Sequence, residues 1–164
     1  MAHILIVCTA NICRSPVGAA LLRDRLQKRG LGDWVISSAG TWALEKRGAS
    51  QYSVELMAED GLDISDHQAQ MIEGKHLATA DLLLCMERGH AEALKAEFPM
   101  WADKIYLFSE MVDRGYSISD PYGRSREAYE LMVKDLSGII DRGLDKIIAL
   151  ADANAARRDV TNPR

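Results

Sequence analysis

The sequence predicts an α/β fold: one domain with a four-stranded parallel sheet covered by helices on both faces. Short β-rich apolar runs alternate along the chain with amphipathic helical patterns, the order that builds parallel sheets. The first and third runs, ILIV and LLLC, are apolar at every position, as strands buried on both faces must be. The chain has 164 residues, 48% of them hydrophobic, enough for one compact domain with a real core.

Each element has its own warrant. Ala2 to Val7 reads as a buried strand. Ser15-Pro16 then opens a helix, with Ser able to cap and Pro suited to the first turn. Val17, Ala20, Leu21 and Leu22 continue it to a stop near Arg29-Gly30. Trp34 to Ser38 predicts a second strand, left by a turn at Ala39-Gly40-Thr41. Ser50 to Glu59 predicts a helix ended by Asp60-Gly61. Asp81 to Cys85 is the third strand, Glu87 to Glu97 the helix behind it with Pro99 as stop, and Lys104 to Phe108 the fourth strand. From Gly123 a long helix carries Ala128, Leu131, Met132, Leu136 and Ile139 on one face. The expected division is a domain over residues 1–153 and a polar, flexible tail over 154–164. The alternation is Rossmann-like, and such folds bind ligands beyond the carboxyl ends of their strands.

Composition excludes several classes. A net charge of −4 lacks the basic excess of a nucleic-acid binder. No basic segment precedes an apolar stretch as in a signal peptide, and no apolar run approaches the ~20 residues that span a bilayer. Three cysteines, an odd number, point to free thiols in a reducing compartment, so the expected location is the cytoplasm, with export as an effector left open.

The segment Cys8-Thr9-Ala10-Asn11-Ile12-Cys13-Arg14-Ser15 lies between a strand and a helix. Backbone N–H groups of such a turn curl into an anion-binding nest, and the following helix adds its positive end. The lining is Thr9, Ala10, Asn11, Ile12, Cys13 and Ser15. A thiol in that nest is favoured as thiolate. Arg14 offers a planar fork that grips two phosphate oxygens. Ser15 is placed to donate to the thiolate, and Asn11 tolerates the left-handed backbone that shapes the loop. The chemistry is nucleophilic attack by Cys8 on phosphorus.

The stretch VCTANICRSP resembles the signature of the low-molecular-weight protein tyrosine phosphatases. SSAGT, GLDISDHQAQ, LLLCMERGH and DPYG have counterparts in the expected order, so the resemblance runs from about Ile4 to Ile148. It implies Cys8 as nucleophile, Arg14 as phosphate ligand and Asp120 as general acid, with neither metal nor cofactor. Asp120 has a second warrant: a phenolate leaving group, of pKa about 10, needs a proton donor, and Pro121 stiffens the turn that holds the acid.

Ser38 and His67 resemble a serine and histidine that buttress the loop asparagine, although His67 reads equally as a surface histidine. Gln70 stands where the family often has arginine. His3, His76 and His90 carry no motif. A reversible Cys8–Cys13 disulfide is implied by the resemblance; the alternative is a Cys13 that simply packs behind the loop. Cys85 reads as packing.

Arsenate reductases of similar fold need two further cysteines downstream, and only Cys85 is present. Arginine phosphatases usually carry threonine where this chain has Ile12. Ile12 and Tyr122 are therefore expected as apolar walls of a slot for phosphotyrosine, with Trp42 either a rim residue or merely exposed. Expected partners are phosphotyrosine proteins and a cognate tyrosine kinase, with phosphate, vanadate or sulfate as anions for the loop. A non-catalytic phosphate-binding or redox-sensing module is the rival class, separated by whether an aryl phosphate is turned over.

Overall fold

A computed structural model of the chain describes residues 1–161. Four parallel strands stand in the order β2-β1-β3-β4: β1 His3–Cys8, β2 Val35–Gly40, β3 Leu82–Cys85 and β4 Ile105–Leu107. The helices are α1 Arg14–Lys28, α2 Gln51–Glu59, α3 Gly74–Thr79, α4 Arg88–Glu97 and α5 Arg126–Thr161.

Strand periodicity divides the core in two. Ile4, Ile6 and Cys8 of β1, with Leu82 and Leu84 of β3, join the apolar cluster that includes Val17, Leu21, Met57 and Leu136. Their neighbours Leu5, Val7, Leu83 and Cys85 face a second cluster that includes Leu77, Ala91 and Leu94. So α1, α2 and α5 cover one face, and α3 and α4 the other. Residues 4–7 of β1 are fully buried, each such aliphatic side chain contributing about 1.5–3 kcal/mol by leaving water.

The chain passes from β1 to β2 on one side, then crosses to β3 on the other. The crevice between the ends of β1 and β3 is therefore the topological switch point, where open α/β sheets bind ligands. Cys8 ends β1, and the Met86-Glu87 turn leaves β3 at the same edge.

Several boundaries differ from the sequence expectation. β2 runs through Gly40, paired with Cys8, instead of turning at Ala39. Gly40 is required there, because a Cβ would lie 2.4 Å from the Thr9 carbonyl oxygen. Ser15 is not a helix cap: Arg14 begins α1, and the Ser15 hydroxyl turns into the preceding loop. The short helix α3 and the 3-10 turns at Pro99–Lys104 and Phe108–Val112 were not expected. Leu131 is 68% exposed, and the inward face of α5 runs instead through Tyr129, Met132, Leu136 and Ile140.

The expected tail is corrected as well: residues 154–161 are the last turns of α5, while 162–164 lie outside the described residues. Ala155 is buried, Asn154 donates to the Asp81 carbonyl at 2.7 Å, and Arg158 pairs with the buried Asp81 carboxylate at 2.9 Å. Polar residues close this end of the helix because a buried charge needs a partner.

Candidate active site

The loop from Cys8 to Cys13 turns its carbonyl groups outward. Cys8 O accepts from Thr41 N at 3.0 Å, Thr9 O from Trp42 N at 2.9 Å, and Ala10 O from Leu44 N at 3.1 Å. Asn11 O accepts from His67 Nε2 at 2.6 Å, Ile12 O from Ser50 N at 2.7 Å, and Cys13 O from Ser53 Oγ at 3.0 Å. In a trans peptide the N–H points opposite its carbonyl, and the chain has no cis bond among the described residues. Six successive outward carbonyls therefore leave the N–H groups from Thr9 to Arg14 facing the inner side of the loop. That is an anion nest built from backbone alone.

Asn11 holds this curvature. It is fully buried at φ 59°, in the left-handed region. Gln70 N–H, which can only donate, meets Asn11 Oδ1 at 2.9 Å and so fixes the amide orientation. Asn11 Nδ2 then donates to Ser15 Oγ at 2.7 Å and to Ser38 Oγ at 2.9 Å. Ser15 Oγ lies 3.0 Å from Cys8 Sγ, within reach to donate its proton once the sulfur is a thiolate. Asn11 N lies 3.3 Å from the same sulfur. His67 is half-buried with Nε2 2.6 Å from the Asn11 carbonyl, a contact that fits the buttress reading, and burial pushes the ring below its ordinary value. Gln70 Nε2 donates to Ser38 O at 2.9 Å, a supporting contact that the sequence did not signal.

Arg14 is 1% exposed. Nη1 donates to Ile118 O at 2.7 Å, and Nη2 to Glu87 Oε2 at 3.1 Å. Among the described residues, Arg14 Nε is the buried side-chain nitrogen or oxygen left without a hydrogen-bond partner. A buried guanidinium N–H in that state costs free energy until an acceptor arrives. Asp120 Oδ2 lies 3.6 Å from Arg14 Nη2, and Asp120 Oδ1 accepts from Tyr122 N at 3.1 Å. The Asp120 side chain is half exposed.

Other expected residues fall differently. Ile12 is 1% exposed and packed in the main core, so it is not an open wall of a slot. Its carbonyl is bound by Ser50 N, which draws the start of α2 across it. Tyr122 and Trp42 are 53% and 77% exposed; their backbone N–H groups bind Asp120 Oδ1 and the Thr9 carbonyl respectively. Cys13 Sγ meets Ser50 Oγ at 2.9 Å and Tyr129 OH at 3.3 Å; burial raises its pKa, and the thiol is free, as are those of Cys8 and Cys85.

His90, which carries no motif in the sequence, contacts Thr9 Oγ1 at 2.9 Å and Glu87 Oε2 at 3.1 Å. Burial opposes charge on Glu87, but Arg14, His90 and Thr9 outweigh it and hold the carboxyl below the usual range. The spacing Glu-x-x-His at the start of a helix was the available signal, a capping-box pattern with histidine as the third helical residue.

All four histidines are shifted below their ordinary value, with burial the leading cause in each. Below pH about 6.5 the unfolded chain binds those protons first, so acid favours unfolding. The urea midpoint is expected to be highest above pH 7 and to fall toward pH 5. A midpoint that rises over that interval contradicts the buried-neutral assignment.

A parallel α/β sheet with a thiol at the floor of a backbone anion nest, an arginine beside it and a carboxylate at the rim defines a class of cysteine-dependent phosphate-handling proteins. The sequence model for low molecular weight phosphotyrosine protein phosphatases matches residues 3–157. A probable low molecular weight protein-tyrosine-phosphatase, EpsP, of Ralstonia nicotianae is 37% identical over 147 residues, covering 90% of this chain and 97% of its own. A protein-arginine-phosphatase of Geobacillus stearothermophilus is 33% identical over 146 residues, covering 88% and 95%. The crystal structure of a low molecular weight protein tyrosine phosphatase from T. tengcongensis superposes with a TM-score of 0.84 at 37% identity, covering 89% of this chain and 99% of that one. The chain belongs to the low molecular weight phosphotyrosine protein phosphatase family.

Proposed function

We propose that the protein hydrolyses phosphotyrosine in proteins through a phosphocysteine formed on Cys8. The observation that carries this is the run of six outward carbonyls, which turns the loop amides toward the space above the Cys8 sulfur; the unpaired Arg14 Nε adds a seventh donor. The Cys8 thiolate, stabilised by Ser15 Oγ–H, attacks phosphorus as the P–O bond to the tyrosine breaks. Asp120 gives its proton to the departing oxygen. The resulting carboxylate then takes a proton from water, whose oxygen attacks phosphorus, breaks the S–P bond and releases inorganic phosphate with Cys8 again a thiolate. Amides and Arg14 carry the charge stabilisation, so no metal or cofactor enters.

Tyr122 and Trp42 form the aromatic rim against which a tyrosine ring would pack. Phosphotyrosine proteins are the proposed substrates, a cognate tyrosine kinase the proposed partner and the cytoplasm the proposed location. No helix among the described residues is long and apolar enough to cross a membrane.

The similarity to a protein-arginine-phosphatase supports a second reading, a phosphoarginine substrate. Both substrates share the anionic head, so the rim must decide. A phenyl ring gains apolar contact on an aromatic rim, whereas a guanidinium can stack there with its N–H groups still in water, so the difference lies in the apolar area each side chain covers. Matched peptides carrying either residue are expected to show kcat/KM at least about tenfold higher for phosphotyrosine, equivalent to roughly 1.4 kcal/mol. A preference for phosphoarginine selects the second reading. Turnover of neither, nor of an aryl phosphate, removes both.

A further inference from the structure

On the side of the loop away from Ser38 and His67, Glu87, His90 and Thr9 are hydrogen-bonded in a ring, and Arg14 donates into it. The backbone N–H of Glu87 donates to His90 Nδ1 at 3.3 Å. A backbone N–H has no acceptor role, so Nδ1 carries a lone pair and a neutral ring has its proton on Nε2. Three charged groups act on the ring: Glu87 and Asp120 favour its protonated form and Arg14 opposes it, with burial the largest influence and on the neutral side. Nε2–H faces Thr9 Oγ1 at 2.9 Å. The Thr9 hydroxyl, which also accepts from Arg14 Nη2 at 3.4 Å, donates to Glu87 Oε2 at 3.3 Å, an oxygen that His90 Nε2 itself approaches to 3.1 Å. That same oxygen accepts Arg14 Nη2 at 3.1 Å.

Charge alone argues against a carboxylate at this place, since it weakens the pull of Arg14 on a phosphate dianion. Its contribution is geometric. Nη2 is held on Glu87 and Nη1 on Ile118 O, which fixes the guanidinium plane with its Nε–H unpartnered and available to an anion.

We propose that Glu87, His90 and Thr9 form a hydrogen-bonded circuit that positions Arg14 for the transition state, with neutral His90 as the link that sets its direction. The proposal rests on the phosphatase reading of the site. None of the three is a catalytic residue here; each acts through Arg14.

The test compares the full-length protein with Thr9→Val, His90→Leu, the double variant and His90→Gln, using an aryl phosphate near pH 7. A misdirected group at a reacting centre costs rate more than affinity, so each single break is expected to lower kcat by about 5–20-fold with KM changed less than about twofold. The double variant should fall by clearly less than the product of the two single losses, because both changes disturb one circuit. His90→Gln, whose amide offers an acceptor and a donor, should recover kcat to within about threefold of wild type. Thr9→Val leaves the Glu87 N–H to His90 contact intact, so its loss of rate should come without loss of melting temperature. Wild-type kcat in both single variants, or losses that multiply in the double, overturns the circuit.

The imidazole 15N shifts read it without turnover: His90 Nδ1 should be unprotonated and Nε2 protonated at pH 7. The opposite tautomer, or an imidazolium, also overturns it. A wild type inert toward every phosphate ester removes the phosphatase reading and leaves that spectroscopic result to decide the circuit.

Discussion

Cys8→Ser is expected to abolish turnover, to below about one per cent of wild type, while phosphate still binds within a few-fold of its wild-type affinity. The two halves of the result have separate causes. A serine hydroxyl at this position is a far weaker nucleophile than a thiolate. Anion binding rests on amides held inward by six carbonyl contacts and on Arg14, and none of those six contacts involves the sulfur. Steady-state kinetics on an aryl phosphate and calorimetric titration with inorganic phosphate measure the two. Alkylation gives a further check: vanadate should protect Cys8, while Cys85, buried and with its thiol pushed up to about 12, should react slowly with or without the anion. Residual turnover above that level, in a preparation free of wild type, places the nucleophile elsewhere.

Asp120→Asn should slow a poor leaving group by roughly 10²–10⁴-fold, the span for a lost general acid. The loss should shrink for an activated aryl phosphate, whose departing oxygen hardly needs a proton. The position supports the role: the carboxylate is half exposed, tethered by Tyr122 N at 3.1 Å and 3.6 Å from Arg14. A plot of rate against leaving-group pKa is the measurement. It should be steep in the variant and shallow in wild type; parallel plots would make Asp120 a structural residue.

Much of this site was legible in the sequence because its chemistry is local. Cys8, Arg14 and Ser15 fall within one turn between an apolar run and a helical pattern, and Asn11 is of a type that accepts φ 59°. The carbonyl contacts were not legible, since backbone acceptors leave no trace in residue identity. Their donors come from Thr41, Trp42, Leu44, Ser50, Ser53 and His67, segments that only folding brings together. His90 was passed over for the same reason: its partner Thr9 lies on another strand's end. Ile12 looked like a wall because its chemistry suits one, yet the chain crossing at Ser50 seals it into the core. Helix periodicity fixed the α5 stripe through Met132, Leu136 and Ile139, but a neighbour such as Leu131 sits about 100° around the helix, which is enough to reach solvent. The 154–161 segment misled by its polarity, because composition does not reveal the buried Asp81 that engages Asn154 and Arg158.

The unpaired Arg14 Nε has a consequence for handling the protein that is thermodynamic and not catalytic. A ligand that binds the folded chain and not the unfolded one raises stability by RT ln(1 + [L]/Kd), about 2.7 kcal/mol at a hundredfold excess over Kd. The melting temperature is therefore a property of the buffer as much as of the chain. In phosphate, the folded state carries a reserve that it lacks in Tris chloride at the same pH. Stability values for loop variants are comparable only when the oxyanion concentration is fixed. A variant that can no longer grip the anion will look destabilised in phosphate and unchanged without it. That contrast turns a thermal scan into an assay for the nest, with no substrate present.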